Sequence, residues 1–233
     1  MPDTKIKWLG HAGFQITSVK GKIIIIDPWL TDNPLAPCQV EEIRKADLVL
    51  VTHDHFDHIA DAAQIVKATG ATLVGMPEIV AKLKEEADIP DSQIVFGTGM
   101  NIGGTAIFDG ISVTMTQAFH SSQTASPAGY IIKLEDGFTM YHAGDTGIFS
   151  SMKILGELYN IDLAMLPIGG VFTMDHTQAT LAARLLDVNT VIPMHYKTFP
   201  ILEKDTSSYV EIMEKEAHNI EVKVLNPGEE YIV

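Results

Sequence analysis

The stretch Thr52-His53-Asp54-His55-Phe56-Asp57-His58 places three histidines and two aspartates directly after the apolar run Leu48-Val49-Leu50-Val51. A short apolar run that opens into polar residues reads as a buried strand ending in a loop. Side chains two apart on extended backbone share a direction, so His53, His55 and Asp57 project into one space beyond the strand. His58 joins them once the chain turns into a helix. The spacing suits two adjacent cations, with His53 and His55 serving one and Asp57 and His58 the other. Imidazole and carboxylate suit zinc, manganese or iron, and no nearby cysteine demands a softer metal.

A two-cation site needs further ligands, arriving at other strand ends. His120 follows the strand Ile111–Ala118 in TQAFHSS, Asp145 follows Phe138–His142 in YHAGDTG, and His195 follows Thr190–Met194 in VIPMHYKTFP. Asp27 closes an earlier strand, KIIIID. Further strands are expected at Lys5–Leu9, Phe14–Val19, Thr72–Gly75, Thr105–Phe108, Gly129–Leu134, Leu163–Pro167, Glu221–Leu225 and Glu230–Val233. Helices are expected near Glu41–Lys45, Ile59–Thr69, Glu78–Ala87, Ser151–Tyr159, after Asp175, and Ser207–Ala217. Asp109-Gly110 and Asp136-Gly137 mark hairpin turns. A block of strands followed by strand–helix alternation occurs twice, with no low-complexity linker between. The order predicts one α/β domain over residues 1–233, two mixed sheets packed together with helices outside.

The ordered set of Asp27, the HxHxDH motif at His53–His58, His120, Asp145 and His195 resembles the metallo-β-lactamase superfamily, and the likeness spans nearly the whole chain. The resemblance implies a four-layer αββα sandwich with a dinuclear site at one edge of the sheets. It implies that His53, His55 and His120 hold one metal, that Asp57, His58 and His195 hold the other, and that Asp145 bridges both. Asp27 would orient the ligands. WLGHAGF at Trp8–Phe14 and the TMDHTQA segment look most like small bacterial and archaeal metal-dependent hydrolases related to L-ascorbate-6-phosphate lactonase. WLGHA is also similar to the N-acyl-phosphatidylethanolamine phospholipase D branch. The implied chemistry is hydrolysis of a small anionic lactone or phosphoester by a metal-bound hydroxide, with two zinc or manganese ions. Alternatives are an iron-dependent oxidoreductase of the same superfamily and a non-catalytic metal-binding module.

Other residues fill in the expected site. His11, in the turn Gly10-His11-Ala12-Gly13, is expected near the metals, where it contacts substrate or stabilises the turn. Asp175 and Gln178 stand at capping-box spacing, which puts His176 in the first turn of a helix. There it is expected to face substrate or shuttle a proton. Asp57, His11 and His176 are therefore the expected catalytic set. Gly169-Gly170 lets a loop approach a ligand closely. Gly170, Tyr196 and Lys197 are expected substrate contacts, Lys197 meeting an anionic group. His142 reads as a hydrogen-bonded core residue and His218 as a surface one.

Composition bounds the partners. The chain has 233 residues, a net charge of −14 and a pI of about 4.9, which argues against nucleic acid and anionic membranes. A compact anion remains compatible with a local cationic pocket. One cysteine, Cys38, excludes an internal disulfide framework. MPDTKIKW carries no signal-peptide apolar region, and no apolar run reaches the ~18 residues of a membrane span. A cytoplasmic protein is expected, and assembly into a homo-oligomer stays open.

Overall fold

The structure is a computed structural model and describes residues 3–233. The first half runs β1 (Lys5–Gly10), β2 (Gly13–Thr17), β3 (Ile23–Ile26), β4 (Leu48–Leu50), α1 (Phe56–Ile59), α2 (Ala62–Thr69), β5 (Thr72–Val74) and α3 (Pro77–Ala87). The second runs β6 (Thr105–Phe108), β7 (Ile111–Gln117), β8 (Ala128–Lys133), β9 (Thr139–His142), α4 (Met152–Tyr159), β10 (Leu163–Pro167), α5 (His176–Leu186), β11 (Thr190–Met194), α6 (Ser207–Glu216), β12 (Glu221–Val222) and β13 (Glu230–Ile232).

These form two mixed sheets, ordered β13-β1-β2-β3-β4-β5 and β12-β11-β10-β9-β8-β7-β6. Each has an antiparallel side built from hairpins and a parallel side built from strand–helix units: β3, β4 and β5 run parallel in one, β9 to β12 in the other. The architecture is the expected α/β sandwich of two mixed sheets with helices. The parallel strands are continuous apolar runs because both of their faces are covered. Every residue of β4, β10 and β11 is buried. The edge strand β6 instead alternates, exposing Thr105 and Ile107 and burying Ala106. The last strand, β13, pairs antiparallel with β1, tying the end of the chain to its beginning. No helix among the described residues is long and apolar enough to cross a membrane.

Three elements differ from the sequence reading. The helix expected near Glu41–Lys45 is a single 3-10 turn, Val40–Glu42. The helix expected over Ile59–Thr69 starts earlier and breaks into α1 and α2. At the break, the Asp61 carboxylate accepts hydrogen bonds from Leu30 N, Thr31 N and Thr31 Oγ1, so it anchors the Pro28–Asn33 loop. The strand expected over Glu221–Leu225 is only two residues long. Both hairpins form: Asp109 and Gly110 take positive φ of 50° and 97°, and Gly137 takes 97°.

Candidate metal centre

The strand ends converge as their sequence order suggests. β4 delivers His53 and His55, the first turn of α1 carries Asp57 and His58, and β7, β9 and β11 lead to His120, Asp145 and His195. Three groupings of ligand atoms lie close enough to share a cation: His53, His55 and His120; His53, His58 and Asp145; and His11, Asp57, His58 and His195. Asp145 stands between them. Its Oδ2 lies 2.9 Å from His195 Nε2, 3.3 Å from His58 Nε2, 3.5 Å from His120 Nε2 and 4.0 Å from His53 Nε2.

These distances fit cations. Two donors bound to one tetrahedral zinc at about 2.0–2.1 Å sit roughly 3.4 Å apart. Three buried atoms of the ligand residues lack a hydrogen-bond partner, His58 Nε2, Asp145 Oδ1 and His195 Nδ1. Unpaired buried polar atoms are costly, and lone pairs converging on a common point are what a cation would satisfy.

The surrounding hydrogen bonds fix which imidazole nitrogen faces inward. Asp27, fully buried, accepts from Thr52 N (2.8 Å), Thr52 Oγ1 (2.6 Å) and His58 Nδ1 (2.7 Å). A carboxylate only accepts, so His58 carries its proton on Nδ1 and turns Nε2 to the centre. Thr52 has one O–H, given to Asp27, so at 3.0 Å His53 Nδ1–H donates to Thr52 Oγ1 and His53 Nε2 also faces inward. Asp27 takes a φ of 46° and His195 one of 59°, left-handed conformations that non-glycine residues adopt at some cost. Gly169 makes room for His195: a Cβ there would lie 2.1 Å from the His195 carbonyl oxygen. Gly169 therefore serves close packing against a ligand residue.

His11 sits deeper than a rim residue. It is fully buried, with Nδ1 2.6 Å from Thr198 Oγ1 and Nε2 3.1 Å from Asp57 Oδ2. Burial, reinforced by the neighbouring His195, pushes its pKa down to about 4. Burial works against the Asp57 charge, but the hydrogen bond from His11 holds its carboxyl well below the usual carboxylate range. Neutral His11 thus donates Nε2–H to ionised Asp57 and accepts from Thr198 at Nδ1. It positions Asp57 and is poorly placed to protonate a leaving group.

Four expected contacts lie elsewhere. The cleft above the centre, about 500 Å³, is lined by His55, Phe56, Asp57, His120, Ser121, Gln123, Asp145, Phe172, His195, Phe199 and Ile201. His176 is not among them. Asp175 caps α5 by accepting from Gln178 N at 2.8 Å, which turns His176 toward Glu203 (3.9 Å) and Tyr209 (6.2 Å between ring centroids). Tyr196 stacks on Trp8 at 5.4 Å and shares a separate cavity with Lys197. Gly170 takes a φ of 82° and donates its N–H to Met174 O, shaping the loop beside the cleft. Left-handed φ at His195 and Lys197, 59° and 69°, breaks the alternation after β11, so Tyr196 and Lys197, though sequence neighbours of a ligand, do not line the cleft. His142 is the core residue expected, with Nε2 2.9 Å from Ala12 O.

The sequence reading passed over Asp54, although it lies inside the decisive stretch. Nearly fully buried, it accepts from Ser122 Oγ, Gln123 N, Thr124 Oγ1 and Lys82 Nζ. It thereby clamps the loop that carries His120, Ser121 and Gln123. The signal available was period two: Asp54 points opposite to His53 and His55.

Stripped of cations, the centre links stability to pH. Burial, then His58, pushes the pKa of His53 down to about 3, as burial and His195 push His11 to about 4. Both stay neutral in the fold and charge in the unfolded chain near 6.5. Such depressed values stabilise fully above about pH 6.5 and lose that contribution as pH falls toward the folded values. His58 shifts the other way: burial opposes its charge, but Asp145 and Asp27 raise it well above its ordinary value. Its stabilisation is fully present below about pH 6.5, so it adds no slope there. The two protons that His53 and His11 take up on unfolding give about 2.7 kcal/mol per pH unit around pH 5, and His120 and His142, which burial also lowers, add to that slope. Denaturant melts of the chelated protein around that pH check this; a slope near zero would contradict it.

Comparison with known proteins agrees with the geometry. The family profile described as Beta-lactamase superfamily domain matches residues 22–196. A UPF0173 metal-dependent hydrolase of Nitratidesulfovibrio vulgaris is 50% identical over 97% of this chain and 94% of its own. Another, from Pyrobaculum islandicum, is 44% identical over 97% of this chain and 98% of its own. The solved structure of Igni18, a metallo hydrolase from Ignicoccus hospitalis, superposes with a TM-score of 0.89 at 41% identity, covering 99% of this chain and 98% of that one. The chain belongs to the metallo-β-lactamase superfamily, among its metal-dependent hydrolases.

Proposed function

We propose that the protein is a dinuclear hydrolase that cleaves an ester bond, in a lactone or phosphoester, by attack of water. The observation that carries this reading is Asp145 Oδ2, set within 4.0 Å of Nε2 of His53, His58, His120 and His195. In this reading His53, His55 and His120 hold one cation, Asp57, His58 and His195 hold the other, and Asp145 joins them. Zinc or manganese suits these donors, and iron is less favoured. Bound there, the cations supply Lewis acidity to a substrate oxygen and acidify water toward neutral pH.

The chain's own residues prepare that chemistry. Asp27 and Thr52 hold the imidazoles of His58 and His53 in the tautomers that face inward. His11 holds Asp57 ionised beside the cleft. Ser121 and Gln123, on the loop clamped by Asp54, offer polar groups at the cleft wall. A passive metal-binding module is less favoured because the ligand set opens onto a substrate-sized cleft, and an oxidoreductase because the relatives matched over nearly the whole chain are named metal-dependent hydrolases. The single cysteine fits a reducing compartment, and we place the protein in the cytoplasm.

Metal-loaded protein should hydrolyse members of a panel of lactones and phosphodiesters. His55→Ala should lower the rate at least a hundredfold, and chelation of the wild type should do the same, reversed by restoring the cation. Turnover that persists at the wild-type rate in a His55→Ala protein shown to be free of metal would reject the reading.

A further inference from the structure

The cleft above the metal centre has an apolar wall and no protein cation. Phe56, Phe172, Phe199 and Ile201 line it, while the described residues around it include neither Lys nor Arg. Phe56, Phe172 and Ile201 are each more than half exposed, at 60%, 53% and 58%. Part of this wall is fixed in place. Buried Trp29 stacks on Phe199 with centroids 5.6 Å apart and planes at 12°, and meets Phe56 edge-on at 5.5 Å. Phe56 in turn meets Phe199 at 6.2 Å. Lys82, which reaches Gln123 at the wall, is paired with Asp54 at 3.1 Å. Lys197 shares its cavity with Lys204 and Asp205. Along the aromatic wall, beyond the cations that the hydrolase reading places on the floor, a charged substituent would therefore lose water against aromatic carbon with no protein counter-charge, whereas an apolar one would gain contact with preformed ring faces.

We infer that the site takes carboxylic esters or lactones whose non-reacting part is uncharged and apolar, of about the size of an aromatic ring, with Phe56, Phe172, Phe199 and Ile201 setting the preference. This rests on the hydrolase reading and replaces the expected anionic substrate. In the reaction, the oxygen of water bonds to the acyl carbon, the C–O ester bond breaks, and the departing oxygen takes a proton. The reacting group sits over the ligands on the cleft floor, and the apolar part lies along the aromatic wall.

γ-Butyrolactones carrying a phenyl, methyl or carboxylate group at the γ carbon test this with one scissile bond. The metal-loaded wild type should show kcat/KM at least tenfold higher for the phenyl than for the carboxylate compound. In Phe172→Ser and Phe199→Ser the phenyl-to-methyl ratio should fall about tenfold. A second readout does not need turnover: 5-phenyl-2-pyrrolidinone, the lactam in which N–H replaces the ring oxygen, should bind more tightly than 5-oxoproline by titration calorimetry. The lactam order without hydrolysis of any lactone would support the cleft preference while rejecting the hydrolase reading. Hydrolysis with the carboxylate compound equal to or better than the phenyl one would overturn the preference and leave that reading intact. Phenyl-lactam binding that weakens as protein concentration and sedimenting mass rise together would assign the apolar rim to a second copy of the chain and overturn it too.

Discussion

Asp145→Ala is expected to lower kcat/KM at least a thousandfold, and to leave the protein unable to retain two cations. A factor of a thousand corresponds to about 4 kcal/mol. The size follows from position: Asp145 is nearly fully buried, and one of its oxygens lies near four inward-facing imidazole nitrogens. Burial opposes its charge, yet His195 and His58 hold the carboxyl well below its usual range. Without it, the two ligand groups lose their shared anion and the imidazoles lose the charge that balances bound cations. Asp145→Asn keeps the shape and removes the charge, and should fall nearly as far. Steady-state kinetics with elemental analysis of the same samples checks both variants. Activity within tenfold of wild type in either would show that Asp145 does not join the sites.

Cation binding should raise the melting temperature of the stripped protein by about 15–30 °C. A ligand at a thousand times its dissociation constant stabilises the fold by about 4.1 kcal/mol, so two sites each filled to that degree give about 8 kcal/mol. For a domain of this size, 1 kcal/mol moves the midpoint by about 2–4 °C. The residues concerned come from both sheets, so they are far apart in sequence in the unfolded chain and cannot bind as a set there. The increase should be reached with zinc or manganese and shrink in His58→Ala, which removes a ligand and leaves buried Asp27 without its imidazole partner. Calorimetric scans of chelated and reloaded protein measure it. A change below about 5 °C at saturation would mean that the cluster holds no cation tightly in the folded state.

Legibility in the sequence followed backbone regularity. β4 is a short, continuously apolar run whose extended backbone carries on beyond it, so the direction of His53 and His55 could be read from their spacing. The same rule applied where an apolar strand ran into His120, Asp145 or His195. The side chains that the structure turns away lie where that rule lapses. His195 and Lys197 both adopt left-handed φ, 59° and 69°, so the chain after β11 twists and Lys197 leaves the cleft. His176 was correctly placed in the first turn of a helix, but a helix start does not say which neighbour the side chain meets; Glu203 and Tyr209 come from distant sequence. His11 was tied to the site through its motif, while its depth and its bond to Asp57 depend on the two sheets meeting, with His195 N donating to His11 O. The aromatic wall was invisible for the same reason: Trp29, Phe172 and Phe199 lie on separate loops and Phe56 starts α1, and no periodicity links them.

The central claim is that two neighbouring cation sites share Asp145. Elemental analysis of protein saturated with zinc or manganese and then freed of loosely held metal tests it most directly. Two cations per chain in wild type are predicted, falling to one in His120→Ala, where the His53–His55–His120 group is broken and the Asp57–His58–His195 group is intact. A single cation per chain in saturated wild type, unchanged by loss of Asp57 or His195, would contradict the account.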